Sequence, residues 1–126
     1  MRLSKLRLLV ELRKLLVQPD TRILKRKLKN HCGKSTWEEE FIGIERRKVT
    51  KIIIYCDFRR DGVVNLVLHE LLHVYMSIYL KISSIMTIEL EEAAILAWER
   101  SLSEYLHSPS REKLLESWSK SIERKL

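Results

Sequence analysis

Long apolar runs, cysteine and glutamine are what this 126-residue chain has little of. No stretch of 18 or more uninterrupted apolar residues occurs, which argues against a bilayer-spanning helix. Cys32 and Cys56 are too few for a disulfide framework, and two ordinary thiols in a reducing compartment are expected. The N-terminus, MRLSKLRLLVELRKLLV, alternates charge with leucine and has neither a clean apolar core nor a small-residue cleavage site. No signal peptide is therefore expected, and the expected compartment is the cytoplasm. Internal repeats and low-complexity tracts are absent too. Glutamine is scarce while Lys, Arg, Glu and Ile abound, a balance that leans towards thermophile composition.

What is present fits one domain, residues 1–126, with a 45% apolar fraction sufficient for a single core. The net charge of +7 is unevenly placed. Residues 1–30 hold ten Lys and Arg against Glu11 and Asp20, a net +8, and the remainder sums to −1. That basic segment is either a contact for nucleic acid or an anionic surface, or simply a solvated helix face.

Helical spacing of Leu6, Leu9, Val10, Leu12, Leu16 and Val17 predicts an amphipathic helix over Leu3 to Val17, ended by Gln18-Pro19-Asp20. Asp20 is positioned to cap a short second helix, Thr21 to Asn30. Residues 31–37 read as loop, and Phe41 to Glu45 and Lys51 to Phe58 as strands. Arg59 to Gly62 read as a turn, with Asp61 a candidate N-cap. Val63 to Leu80 reads as a helix apolar on nearly every side, ended by Lys81 to Ser84. Thr87 to Leu106 and Ser110 to Lys125 complete the helices.

The core helix carries VLHELLHVY, with His69 and His73 one turn apart on the same face. An unpaired carboxylate in such a helix costs several kcal/mol, roughly, so Glu70 needs compensation. Two imidazoles at this spacing can grip one metal ion, with Glu70 beside it as a base acting on a bound water. Zinc suits two imidazoles plus a carboxylate with one position open. The ordinary alternative is a pair of hydrogen-bonded core histidines with Glu70 paired to a base. The third ligand would come from IELEEAAILAWERSL. Glu91 falls in line with Ile95, Trp98 and Leu102 on the core-facing stripe, whereas Glu92 points about 100° away. Acids at a helix N-terminus are also favoured by its dipole, which suits Glu92 better.

With these residues the chain resembles the gluzincin branch of zincin metallopeptidases, and in size the short single-domain minigluzincins. Met76 and Tyr79 stand where the metzincin pattern requires glycine and histidine. The resemblance covers residues 41–106 and implies an α+β zincin-like domain. Its short sheet would pack on a buried active-site helix, followed by a ligand helix, with the N-terminal helical segment and the 110–126 helix flanking. It implies zinc held by His69, His73 and a glutamate of the next helix. Glu91, followed by the small Ala94, is the expected third ligand. Glu92, 19 positions after His73 rather than 18, is the alternative that the family spacing favours. Glu70 is implied as the general base, and KIIIYCDF as the rim strand along which an extended peptide lies. Tyr75, Tyr79, Tyr105 and His107 are candidates for transition-state stabilisation.

The expected function is thus zinc-dependent hydrolysis of peptide bonds in a peptide or protein substrate, through a zinc-bound water. Cover of the cleft by a terminal segment would make such an enzyme latent. The alternative is a basic nucleic-acid-binding or protein-interaction module whose zinc site is latent, vestigial or structural.

Overall fold

A computed structural model describes residues 4–26, 33–42, 46–57, 62–78 and 88–126. Ser4 starts the first helix, its hydroxyl accepting from the Arg7 N–H at 3.1 Å, and α1 runs Lys5–Val17. Its Leu8, Leu9, Leu12, Leu15 and Leu16 are buried, one apolar stripe at helical spacing. At the other end Thr21 Oγ donates to the Leu15 carbonyl at 2.6 Å. That bond satisfies one of the carbonyls a helix C-terminus leaves without an intrahelical partner.

The chain then forms β1 (Thr21–Lys25), β2 (Gly33–Ile42) and β3 (Arg46–Cys56). They make a sheet of order β1-β3-β2, with β1 parallel and β2 antiparallel to β3. The outer edge of β1 meets the end of the chain, where the Ile23 N–H donates to the Lys125 carbonyl at 3.1 Å. On β2, the outer edge has no strand partner among the described residues.

A bulge sets the phase of β3. Glu38 pairs with Lys51 but Glu39 pairs with Val49, leaving Thr50 as an extra residue. The insertion switches which parity faces inward: Val49 is buried before it, and Ile52, Ile54 and Cys56 after it.

Helix α2 (Val63–Ile78) packs on β2 and β3, with α3 (Ile88–Leu106) beside it. A 3-10 turn, Pro109–Arg111, leads into α4 (Glu112–Glu123), which returns against α1. One apolar cluster joins all of these, from Leu9 and Leu12 through Ile54, Leu68, Leu71 and Ile95 to Trp118 and Ile122. The α+β class is as expected: helices around a short sheet on a buried central helix. Among the described residues no helix is long and apolar enough to cross a membrane.

Three expectations are corrected. Thr21 to Lys25 is a strand and not a helix. Its Thr21 and Ile23 face inward, and parallel pairing with Ile52–Cys56 outweighs the helix start that Asp20 offers after Pro19. The loop expected over residues 31–37 is already strand from Gly33, and Phe41 lies near the end of β2 rather than its beginning. In addition, β3 starts at Arg46, earlier than the apolar run suggests. The expected turn at 59–61, the Asp61 cap and the helix end at 81–84 lie outside the described residues.

Removing the Thr21 hydroxyl tests the α1–β1 junction. Thr21→Val should cost about 1–2 kcal/mol, because a buried carbonyl loses its partner. Urea unfolding should show a lower midpoint at unchanged slope.

Candidate metal centre

The central helix packs on the sheet and between the other helices, with Val67, Leu68, Leu71, Leu72 and Val74 buried. His69 and His73 lie on the face towards α3, only partly covered. Their rings stand edge to face, with centroids 5.0 Å apart. Helix α3 presents its carboxylates to this pair. Glu92 reaches both Nε2 atoms: Oε1 lies 2.9 Å from His69 and Oε2 lies 3.2 Å from His73. The opposite ring nitrogens face two other acids. Nδ1 of His73 is 3.4 Å from Glu91, and Nδ1 of His69 is 3.6 Å from Glu99.

Each imidazole therefore meets a carboxylate on both sides. A neutral imidazole carries one N–H, which can satisfy only one of them. The second needs a further proton or a cation. One cation placed between the two Nε2 atoms and Glu92 would serve both rings at once. His69, His73 and Glu92 have donor atoms that all lie within 4.8 Å of one another, so this group could hold a metal ion. Two imidazoles and a carboxylate are a zinc-type donor set. Contacts from Nδ1 to carboxylates are the usual outer support of such a site, fixing tautomer and ring orientation.

Electrostatics agree with this picture. Burial alone would lower the His69 pKa, but the Glu99 contact and the charges of Glu70, Glu92 and Glu99 outweigh it, so the ring titrates above its ordinary value. Glu70 is 5% exposed. Its pKa is raised chiefly by desolvation, while the adjacent histidines and a hydrogen bond from Ser35 oppose the shift.

The sheet makes the room that Glu70 occupies. Gly33 and Ser35 alternate on the inner face of β2. A Cβ added at Gly33 would fall 2.8 Å from Glu70 Oε2. No side chain larger than hydrogen fits there without moving the carboxylate. Cys56 pairs with Gly33 across the sheet and is a buried free thiol. Cys32 lies outside the described residues.

The structure places Glu70 next to His69 and His73 on one helix. The expected Glu91 approaches only the Nδ1 side of His73, and it is the alternative, Glu92, that faces both Nε2 atoms. Glu91 is the more enclosed of the two, at 20% side-chain exposure against 45%. The histidines sit at the rim of the α2–α3 contact, where an edge residue reaches them more squarely than one on the core stripe. Sequence reasoning missed Glu99, although it stands seven residues after Glu92 and so on the same helical face. Tyr75 is in the core, Tyr105 lies under the Arg111 guanidinium at 3.7 Å, and the His107 Nδ1–H donates to the Ser103 carbonyl at 2.8 Å. Tyr79 is outside the described residues.

The buried thiol gives a measurable consequence. Desolvation first, then the Glu70 charge, pushes Cys56 from 9.0 up to about 12. Its contribution to stability is intact below pH 9.0 and is lost as pH rises from there towards about 12, because the unfolded chain ionises first. In a Cys32→Ser background, a disulfide reagent at pH 8 should label Cys56 only after denaturant is added. Fast labelling of the native protein would contradict this burial.

No family model, curated protein or solved structure matches the chain.

Proposed function

We propose that the protein is a small zinc-dependent peptidase of gluzincin type. His69, His73 and Glu92 hold the ion, Glu91 and Glu99 orient the two rings, and Glu70 is the base. The single observation that carries this reading is the meeting of both Nε2 atoms at one carboxylate, with each Nδ1 facing another acid.

A bound zinc ion supplies Lewis acidity, acidifying water to a pKa of about 7 and polarising a carbonyl. Glu70 takes the proton of the attacking water and passes it to the leaving amine. Gly33 leaves space for its carboxylate, and the Ser35 hydroxyl orients it. The substrate strand expected along KIIIYCDF is reassigned, because over Ile52–Cys56 that strand is hydrogen-bonded on both edges. The edge beside Glu70 that has no strand partner among the described residues belongs to β2. An extended peptide adding there would use main-chain hydrogen bonds and pass in front of the base.

Metal analysis of purified protein by mass spectrometry should find about one zinc per chain, as a single site of this donor set requires. His69→Ala and Glu92→Gln should abolish it. Glu91→Gln and Glu99→Gln should weaken zinc about 10–100-fold, the range for outer-shell partners. Loss with Glu91→Gln but retention with Glu92→Gln would make Glu91 the ligand after all.

Glu70→Gln should keep the metal and lose about 10²–10⁴-fold in peptide hydrolysis. Gly33→Ala should act in the same direction by displacing the base, again with metal retained. Parent-rate hydrolysis by Glu70→Gln would sink the mechanism while leaving the metal site standing.

A further inference from the structure

Away from the histidines, α1 and α4 leave a cleft of about 230 Å³ between them. Four cations line it: Arg13 from α1, and Lys113, Lys120 and Arg124 from α4 and its C-terminal cap. The α4 residues recur at positions seven and four apart, which puts them on one face of that helix. Against them stands a single acid, Glu116, which pairs with Lys120 at 3.2 Å. Among the described residues, Arg13, Lys113 and Arg124 have no carboxylate partner. The lining therefore carries a net +3 around a small volume.

Hydroxyls complete the wall. Ser121 is 3% exposed although it borders the cleft, and its Oγ donates to the Ser117 carbonyl at 2.9 Å. The apolar side of α4, with Trp118 and Ile122, is turned into the core instead. Helix-dipole complementarity accounts for Lys120 and Arg124 near the C-terminus of α4. It does not account for Lys113 in the first turn, where a cation is disfavoured, nor for Arg13 on a different helix. Lys113, Lys120 and Arg124 are solvent-exposed, and Glu116 offsets only part of the positive charge around the cleft.

The geometry points to an oxyanion site here, taking the phosphate or diphosphate group of a compact ligand. Arginine and lysine provide charge-assisted donors matched to phosphate oxygens. The volume holds about seven or eight waters at ~30 Å³ each, so one or two phosphates with some water fit. It falls below the ~300 Å³ at which pockets for drug-sized ligands begin, so the rest of the ligand lies outside. A nucleic-acid track would need a run of such clusters along the backbone, whereas these four cations converge on one small cleft. The site shares no residue with the metal centre.

Calorimetric titration with inorganic phosphate and with pyrophosphate tests it. Pyrophosphate should bind at one per chain, and Arg13→Gln with Arg124→Gln should weaken it at least tenfold. Lys5→Gln with Arg7→Gln removes the same charge from the far end of α1 and should leave the affinity within twofold. His69→Ala should also leave it unchanged, which separates this cleft from any chelation at the histidines.

Vesicles of phosphatidylcholine with phosphatidic acid distinguish the source of the phosphate. Vesicle binding that pyrophosphate displaces assigns the cleft to a lipid headgroup. Pyrophosphate binding without vesicle binding assigns it to a soluble phosphate compound. Equal losses in the two paired variants would overturn the proposal, since only a diffuse field would then be at work. So would the absence of binding by phosphate, pyrophosphate and vesicles alike, including the case where a DNA oligonucleotide alone is retained.

Discussion

Everything at the centre of this molecule turns on two imidazoles enclosed by acids. Glu70, Glu91, Glu92 and Glu99 surround His69 and His73. Four carboxylates in so small a space repel one another, and positive charge on or between the rings relieves that repulsion, as does a proton on a carboxylate. Two extra protons or one divalent cation supply the same charge. The cation has one geometric advantage: a single point between both Nε2 atoms and Glu92 serves three donors together. The outer acids then accept from the Nδ1 protons, and no donor or acceptor of the rings is left over. Protonation of both rings satisfies the same contacts pairwise, each Nε2–H donating to one oxygen of Glu92.

The sheet answers to the same constraint. An inner face packed wholly with large apolar side chains would leave no space for the Glu70 carboxylate. β2 instead places glycine and serine at its inward positions nearest that group, and Trp37 further along. The Thr50 bulge then lets β3 keep its inward residues apolar on both sides of the irregularity. The region that makes room for Glu70 thus begins at Gly33, before residues 41–106.

That polar face explains what the sequence concealed. Gly33, Ser35 and Trp37 alternate inward, yet the first two are not apolar, so no hydrophobic alternation marks the strand. Thr21 to Lys25 failed for another reason. Five residues with two inward positions carry too little pattern to outweigh a proline followed by a good capping residue, and the strand exists because Ile52–Cys56 pairs with it. Long segments with many apolar positions were legible: α1, α2, α3 and α4 lie close to where their spacing puts them. So were His69, Glu70 and His73, since the spacing of one helix settles their mutual placement. The choice between Glu91 and Glu92 depends on how α3 is rotated against α2, a tertiary quantity that periodicity within one helix does not contain.

The basic N-terminal segment looks different in three dimensions from its charge count. It is no detachable arm. Leu8, Leu9, Leu12, Leu15 and Leu16 of α1 are core residues, and β1 is hydrogen-bonded to β3 and to the end of the chain. Deleting residues 1–30 would remove an edge of the sheet and one wall of the core, so a loss of binding after such a deletion would report unfolding as readily as lost charge. The cations that line the cleft come mainly from α4, in a part of the chain whose net charge is slightly negative. Net charge per segment thus does not mark this cluster, because the charges of α4 and its neighbours nearly cancel in the sum. What decides where an anion can be held is which side chains two helices turn towards each other, and here α1 contributes a single arginine to a site that α4 largely builds.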